Sequence, residues 1–316
     1  MVDSEKKNEN WEREVLEKLA FYSIAEQRRT RRWGIFFKSL TFFYLFVLLF
    51  LALGWIGNSG IKMAKKHTAL VDLQGMITPD SISSADNINA SLREAFRDKN
   101  TQGVILRIDS PGGSPVQAGY INDEILRLRA NYPNIPLYAV VGDVCASGGY
   151  YVASAADKIF VDKASLIGSI GVMMDGFGFT ETLEKLGIER RLLTAGDSKG
   201  FLDPFSPVDS KQREHALNML AEIHDQFVSV VRHGRGDRLK DNPEIFSGTI
   251  WTGEKSIELG LSDAMGSVDY VAREIIKAED IIDYTAKQGL AERFAKRFGE
   301  VVINTLHGTE SVLSLR

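Results

Sequence analysis

A single cysteine, Cys145, in 316 residues excludes an internal disulfide framework and any zinc site built on paired cysteines. Histidine is scarce, with His67, His215, His224, His233 and His307 its five positions. No His-Glu-x-x-His metal motif occurs, nor a glycine-rich phosphate loop, nor a Gly-x-Gly-x-x-Gly turn after a strand, so nothing in the sequence asks for a metal, nucleotide or other cofactor. Neither sign of charge dominates: the net is −4, which argues against a nucleic-acid partner. What is present is ordinary for a folded chain, 44% hydrophobic and 25% charged, and this excludes disordered and collagen-like classes. The length fits one large domain or two small ones.

The charge is unevenly placed. Up to Lys66 there are twelve basic and seven acidic residues, a net of +5, and the remainder carries −9. Ser39 to Ile61 contains no charged residue at all. Its densest part, Leu40 to Gly57, would span about 27 Å as a helix, against a hydrocarbon thickness of about 30 Å. Apolar side chains from Phe42 to Leu51 cover every side of that helix, whereas a soluble helix keeps one polar face. Trp33 and Trp55 flank the run, where amphipathic rings favour the interface. A transmembrane helix over 39–61 is therefore expected. A buried core helix and a cleaved signal peptide are the alternatives, the latter opposed by the roughly 38 residues ahead of the run. Arg28, Arg29, Arg31, Arg32 and Lys38 precede the span, and only Lys62, Lys65 and Lys66 follow it closely. That bias puts residues 1–38 in the cytoplasm and the acidic body on the far side.

From His67 onward short apolar runs alternate with amphipathic stretches. Strands are expected at 69–73, 103–108, 137–141, 158–161, 171–174 and 191–193. Helices are expected at 84–97, 115–130, 148–155, 180–186, 210–231, 253–259 and 267–277. This alternation predicts an α/β fold with a mainly parallel sheet. The long helix opens on Asp209 with Gln212 three residues on, a capping-box pattern, and its stripe of Leu217, Leu220, Ile223, Phe227 and Val231 reads as packing surface. Leu290, Phe294, Phe298 and Val302 suggest a further amphipathic helix. The expected boundaries are a tail at 1–38, the span at 39–61, a body at 62–278 and a helical extension at 279–316.

Two glycine clusters carry the chemistry. Asp109-Ser110-Pro111-Gly112-Gly113-Ser114 follows the strand GVILRI, and Cys145-Ala146-Ser147-Gly148-Gly149 follows the strand LYAVV. Both lie where a parallel strand gives way to a helix, the usual ligand position in such folds. Glycines there let backbone N–H groups face a reacting group, and two such amides form an oxyanion hole. Ser147, at the mouth of the helix GGYYVASAA, is placed to attack a carbonyl; the bland alternative is an N-cap serine with glycines for tight packing. The strict Gly-x-Ser-x-Gly elbow is absent because position 145 is cysteine. Cys145, two residues before Ser147, reads as a small buried side chain and is a poor rival as nucleophile. Three histidines recur at nine-residue intervals on or at the end of the long helix and read as helix positions. Lys199, in the loop Thr194-Ala195-Gly196-Asp197-Ser198-Lys199-Gly200, is a candidate base. A lysine serves as a base only when neutral, which asks for burial; Phe201, Leu202 and Phe205 are suitable walls.

The stretches RIDSPGGS, VCASGGYYVASAADKI, SLIGSIGVM and LLTAGDSKG, in this order, resemble the signal peptide peptidase A family, the protease IV (S49) type, from about His67 to Lys277. The resemblance implies a crotonase- and Clp-protease-like fold of repeated ββα units. It implies a Ser-Lys serine endopeptidase acting on cleaved signal peptides and other apolar or unfolded polypeptides, on the outer side of a bacterial inner membrane. By motif position the nucleophile falls on Ser147, the base on Lys199 and the base-orienting serine on Ser169. The amides of Gly148 and Gly113 would be the oxyanion donors, with Gly112 the alternative to Gly113. This is the short form, with serine and lysine on one copy, and the resemblance further implies a homo-oligomeric ring whose sites are completed between neighbours. A non-catalytic oligomeric scaffold, or an acyl-CoA hydratase or isomerase on the related fold, are the competing functions.

Overall fold

The computed structural model describes residues 26–49 and 65–286. Two units are distinguished, one of them spanning Ala64–Gln288. In the first unit the helix α1 (Glu26–Leu49) is exposed along its apolar length and is long and apolar enough to cross a membrane. The remainder of the expected span, including Trp55, lies outside the described residues, as does the helix expected from Leu290 to Val302.

The body is a mixed α/β unit. Strands β1 (His67–Gln74), β2 (Thr101–Ser110) and β3 (Leu137–Ala146) form its centre, all parallel. They are joined by helices α2 (Ala85–Arg97) and α3 (Pro115–Asn131). Alternation along the strands sorts side chains between two faces. Ala69, Val71, Leu73, Val104, Leu106 and Ile108 pack under α2 and α3. Leu70, Ile105 and Val140 turn the other way, against Val271 and Ala272. The latter belong to a turn of wider helix, Val271–Ile276, that continues α8 (Val268–Tyr270).

The third strand is a branch point. Its first half pairs with β4 (Lys158–Val161) and its second with β5 (Leu166–Gly168). Between these halves the register against β2 jumps from Ile108↔Val141 to Ser110↔Cys145. The extra residues form a bulge that bends the strand. The Asp109 carboxylate accepts the Val144 N–H at 3.1 Å, and the Ser165 hydroxyl donates to the Gly142 carbonyl at 2.7 Å. Strand β6 (Ile250–Thr252) then pairs antiparallel with β5, while β7 (Ala264–Met265) pairs parallel with β4.

Several expectations are corrected here. Strand β8 (Ile281–Asp283) pairs with β1, so the sheet continues past residue 278 and the segment 279–286 is not helical. Residues 171–174 and 191–193 form no strand; neither finds a neighbour to hydrogen-bond along its length. In α6 (Ser210–Arg235) the Asp209 carboxylate caps the Lys211 and Gln212 amides. Gln212, however, accepts the Leu202 N–H at 3.0 Å instead of closing a capping box. The stripe on α6 is buried only in its later half, at Phe227 and Val231; Leu217 is 49% exposed.

The end of α6 carries a buried ion pair. Arg235 Nη1 donates to Asp263 at 2.9 Å and Nε donates to the Gly260 carbonyl at 2.8 Å. Asp263 also accepts the Ile159 N–H at the start of β4 and an Arg238 guanidinium N–H. Burial would raise its carboxyl; the Arg235 hydrogen bond and charge, the Ile159 N–H and Arg238 outweigh burial and hold it below the usual carboxylate range. A carboxyl depressed on folding contributes stability above its unfolded value of about 3.9, lost as pH falls through the folded value. Asp263→Asn leaves Arg235 buried without a counter-charge and is expected to cost about 3–5 kcal/mol. Urea unfolding of the two chains should show this gap near neutrality and its narrowing below about pH 4.

Candidate active site

The first half of the site is the turn after β2. Ser110, fully buried at the strand end, donates its hydroxyl proton to the Gly75 carbonyl at 2.6 Å and accepts the Gly112 N–H at 3.1 Å. The Gly112 carbonyl accepts the Ile77 N–H, and the Ile77 carbonyl accepts the Ser114 N–H, each at 2.8 Å. These bonds straddle Gly113 and leave its own N–H without a partner among the described residues. Gly112 and Gly113 have φ of 101° and 150°, left-handed values that favour glycine. A Cβ on Gly112 would lie 2.6 Å from the Gly148 nitrogen, and one on Gly113 would collide with the Ile77 carbonyl oxygen. Ser114 then caps α3 by accepting the Gln117 N–H, with Pro115 in the first turn.

The second half is the end of β3. Ala146 pairs with Gly168, and the Ser147 N–H donates to the Gly168 carbonyl at 2.8 Å. Ser147 has φ 52° and ψ −123°, a strained conformation for a residue with a side chain. It stands at the N-cap of α4 (Gly148–Ala153), but its side chain caps nothing. The bland reading of an N-cap serine is thereby set aside. Its hydroxyl has no hydrogen-bond partner among the described residues, and the Gly148 N–H likewise has none. The Gly113 nitrogen lies 3.3 Å from the position a Gly148 Cβ would occupy. Two unengaged amides thus lie close together beside Ser147. Helix α4 is anchored by Tyr150, fully buried, whose hydroxyl donates to the Leu261 carbonyl at 2.7 Å.

Cys145 is fully buried, and burial pushes its thiol up, which disfavours the thiolate a cysteine nucleophile needs. Ser169 follows β5, has φ 50°, and donates its N–H to the Thr249 carbonyl at 2.9 Å; strand pairing brings it beside Ser147. Lys199 is not brought there by any bond. It sits in an exposed turn, its N–H donating to the Gly196 carbonyl at 3.1 Å, and its ammonium makes no hydrogen bond or ion pair among the described residues. The aromatic walls expected around it are engaged elsewhere: Phe205 stacks on Phe179 and Phe201 meets His215. The burial expected for this lysine is not supplied by the described residues of its own chain. Sequence reasoning gave no role to Asp109, Ser110 or Ile77. The first two lie inside the singled-out glycine cluster, but only the bulge in β3 and the clamp by Ile77 reveal what they hold. No group of metal-ligating side chains occurs among the described residues.

A parallel α/β sheet that sets a strained serine at a strand-to-helix junction beside two unengaged backbone amides is an arrangement able to attack a carbonyl and hold the resulting oxyanion. Comparison with known proteins narrows it. The model of peptidase family S49 matches residues 129–281, taking in Ser147, Ser169 and Lys199 but not the Gly112–Gly113 turn. A Synechocystis protein provisionally named as a protease is 31% identical over 64% of this chain and 71% of its own length. An Enterococcus faecium protein provisionally named signal peptide peptidase SppA is 30% identical over 63% of this chain and 57% of its own. A Brucella melitensis protein named as the Na(+)/H(+) antiporter NhaA is 41% identical over 66% of this chain, but the match covers only 28% of that protein. The chain belongs to peptidase family S49, the signal peptide peptidase A family.

Gly113→Ala tests the amide pair. The added methyl must displace the Ile77 carbonyl, moving the Gly113 N–H. Peptide cleavage is expected to fall roughly 10²–10³-fold in kcat, the effect of losing one oxyanion donor, while far-UV circular dichroism stays that of the parent.

Proposed function

We propose that this chain is a membrane-anchored serine endopeptidase that cleaves apolar, unfolded polypeptides, signal peptides among them, through a Ser147–Lys199 dyad. The observation that carries the reading is Ser147 itself, held at φ 52° with a free hydroxyl between the unengaged amides of Gly113 and Gly148. The Ser147 hydroxyl attacks the substrate carbonyl carbon and its proton passes to neutral Lys199. The oxyanion is held by the Gly113 and Gly148 N–H groups. Collapse breaks the C–N bond, and the Lys199 ammonium returns the proton to the leaving amine. Water then attacks the acyl ester, giving a proton to Lys199, and the Ser147 oxygen departs with that proton. Ser169 orients the lysine. No step needs a metal or cofactor.

We further read the catalytic body as a crotonase- and Clp-protease-like fold, anchored through α1 with its N-terminus cytoplasmic and its peptidase unit on the outer side of a bacterial inner membrane. The exposed apolar helix and the arginines Arg28, Arg29, Arg31 and Arg32 at its start support this. The site is completed between copies in a ring. Residues 171–209 support this assembly, because they leave Met173 83%, Phe177 80% and Leu193 95% exposed, a liability unless covered. The same cover would shelter Lys199.

The test pairs two inactive variants. Ser147→Ala and Lys199→Ala, each expressed alone, should lose cleavage of an apolar unfolded polypeptide. Co-expressed in equal amounts, they should regain about a quarter of parental activity, because random assembly places an intact serine beside an intact lysine in one contact of four. Retained cleavage by either single variant removes that residue from the mechanism, and absence of rescue assigns both residues to one chain. Parental activity should also rise from acidic to alkaline pH, since the base works only unprotonated; a flat profile with chemistry rate-limiting contradicts a lysine base.

A further inference from the structure

We propose that Ser110 is a positioning residue of the oxyanion turn, its hydroxyl fixing the Pro111–Gly112 peptide so that the Gly113 N–H is the one left facing the reacting carbonyl. The inference rests on the serine peptidase reading above and deepens it.

A hydroxyl has one proton to give and two lone pairs to receive. Ser110 uses both functions at once, giving its proton to the Gly75 carbonyl at 2.6 Å and receiving the Gly112 N–H at 3.1 Å. The first bond ties the turn to the segment leaving β1, which Asp109 also holds by accepting the Gly75 N–H on its carbonyl at 2.9 Å. The second occupies the amide that would otherwise compete with Gly113. With the Gly112 carbonyl taken by the Ile77 N–H, both polar groups of Gly112 are spent. The next N–H in the chain is held open between two bonds to Ile77. Ser110 has no access to solvent, so water cannot replace its hydroxyl cheaply. The residue also touches the nucleophile's side of the site: a Cβ on Gly149 would lie 2.9 Å from the Ser110 carbonyl oxygen. Loss of the hydroxyl leaves the Gly112 N–H unpaired and frees the Pro111–Gly112 peptide to rotate, which shifts the Gly113 N–H one residue on. The consequence falls on the step in which negative charge develops, not on peptide binding.

The experiment uses the full chain in detergent, as Ser110→Ala and the near-isosteric Ser110→Cys, whose sulfur is a weak acceptor. Two ligands of one apolar peptide sequence are compared. The peptide aldehyde adds to the Ser147 hydroxyl and places an oxygen in the oxyanion position; the matching peptide alcohol binds without adding. The expected result is a kcat lower by roughly 10–100-fold, less than for outright removal of a donor. KM should stay within about twofold, aldehyde affinity should fall in step with kcat, and alcohol affinity should not change. The shape of the pH profile should be parental, because the base is untouched. Parental kcat in either folded variant, or equal losses for aldehyde and alcohol, overturns the inference. So does a failure of both variants to fold, which would make the hydroxyl a fold determinant instead. Ser147→Ala is assayed alongside: if it cleaves like the parent, the peptidase mechanism itself falls; if it is dead while the Ser110 variants are normal, only the role of Ser110 falls.

Discussion

The bond from the Val144 N–H to the Asp109 carboxylate sits where β3 leaves one neighbour for another, and the position of the serine depends on it. A parallel strand that kept its register would carry residues 142–147 straight on beside β4. The bulge instead spends extra residues against β2, and the strand swings to β5. That swing lets the Gly168 carbonyl receive the Ser147 N–H and brings Ser169 alongside. Asp109 and Ser110 are neighbours in sequence with opposite tasks. The carboxylate steadies the strand that carries Ser147, and the hydroxyl steadies the turn that carries the Gly113 amide.

The regular part of this architecture is legible in the sequence because burial is written into it with a period of two or 3.6. The runs in β1, β2, β3 and β4 and the spans of α2 and α3 fall within a few residues of their expected places. Strands β5 to β8 are only two or three residues long. At that length no periodicity exists, and pairing partners far along the chain decide the outcome. The apolar residues of 171–174 and 191–193 misled for the opposite reason. Their hydrophobicity is real, but among the described residues it is left exposed at Met173 and Leu193. An apolar run marks a surface that seeks cover, and sequence alone does not say whether a sheet or another molecule provides it.

The site divides in the same way. Ser147, Gly113 and Gly148 were visible as residue types at strand-to-helix junctions, and local geometry brings them together. Between Gly112 and Gly113 the motif favours Gly113, and the hydrogen bonds are in keeping with that preference: the Gly112 amide is engaged by Ser110 and the Gly113 amide is not. Lys199 is different in kind. Nothing local positions it, and the walls expected around it pack against Phe179 and His215.

The strain at Ser147 follows from this division. A non-glycine residue in such a conformation costs on the order of 1–3 kcal/mol, a sizeable part of a typical folding margin of about 5–15 kcal/mol. It persists only because its surroundings fix it on every side. The Ser147 N–H is held by Gly168, and its carbonyl accepts the Tyr151 N–H at 2.9 Å. The helix that follows is pinned by the buried Tyr150 hydroxyl. A relaxed serine would turn its hydroxyl toward the Gly149 or Tyr150 amide as an ordinary cap. Holding the side chain out of that cap is what keeps the hydroxyl unspent, beside a Gly148 N–H that such a cap would not take.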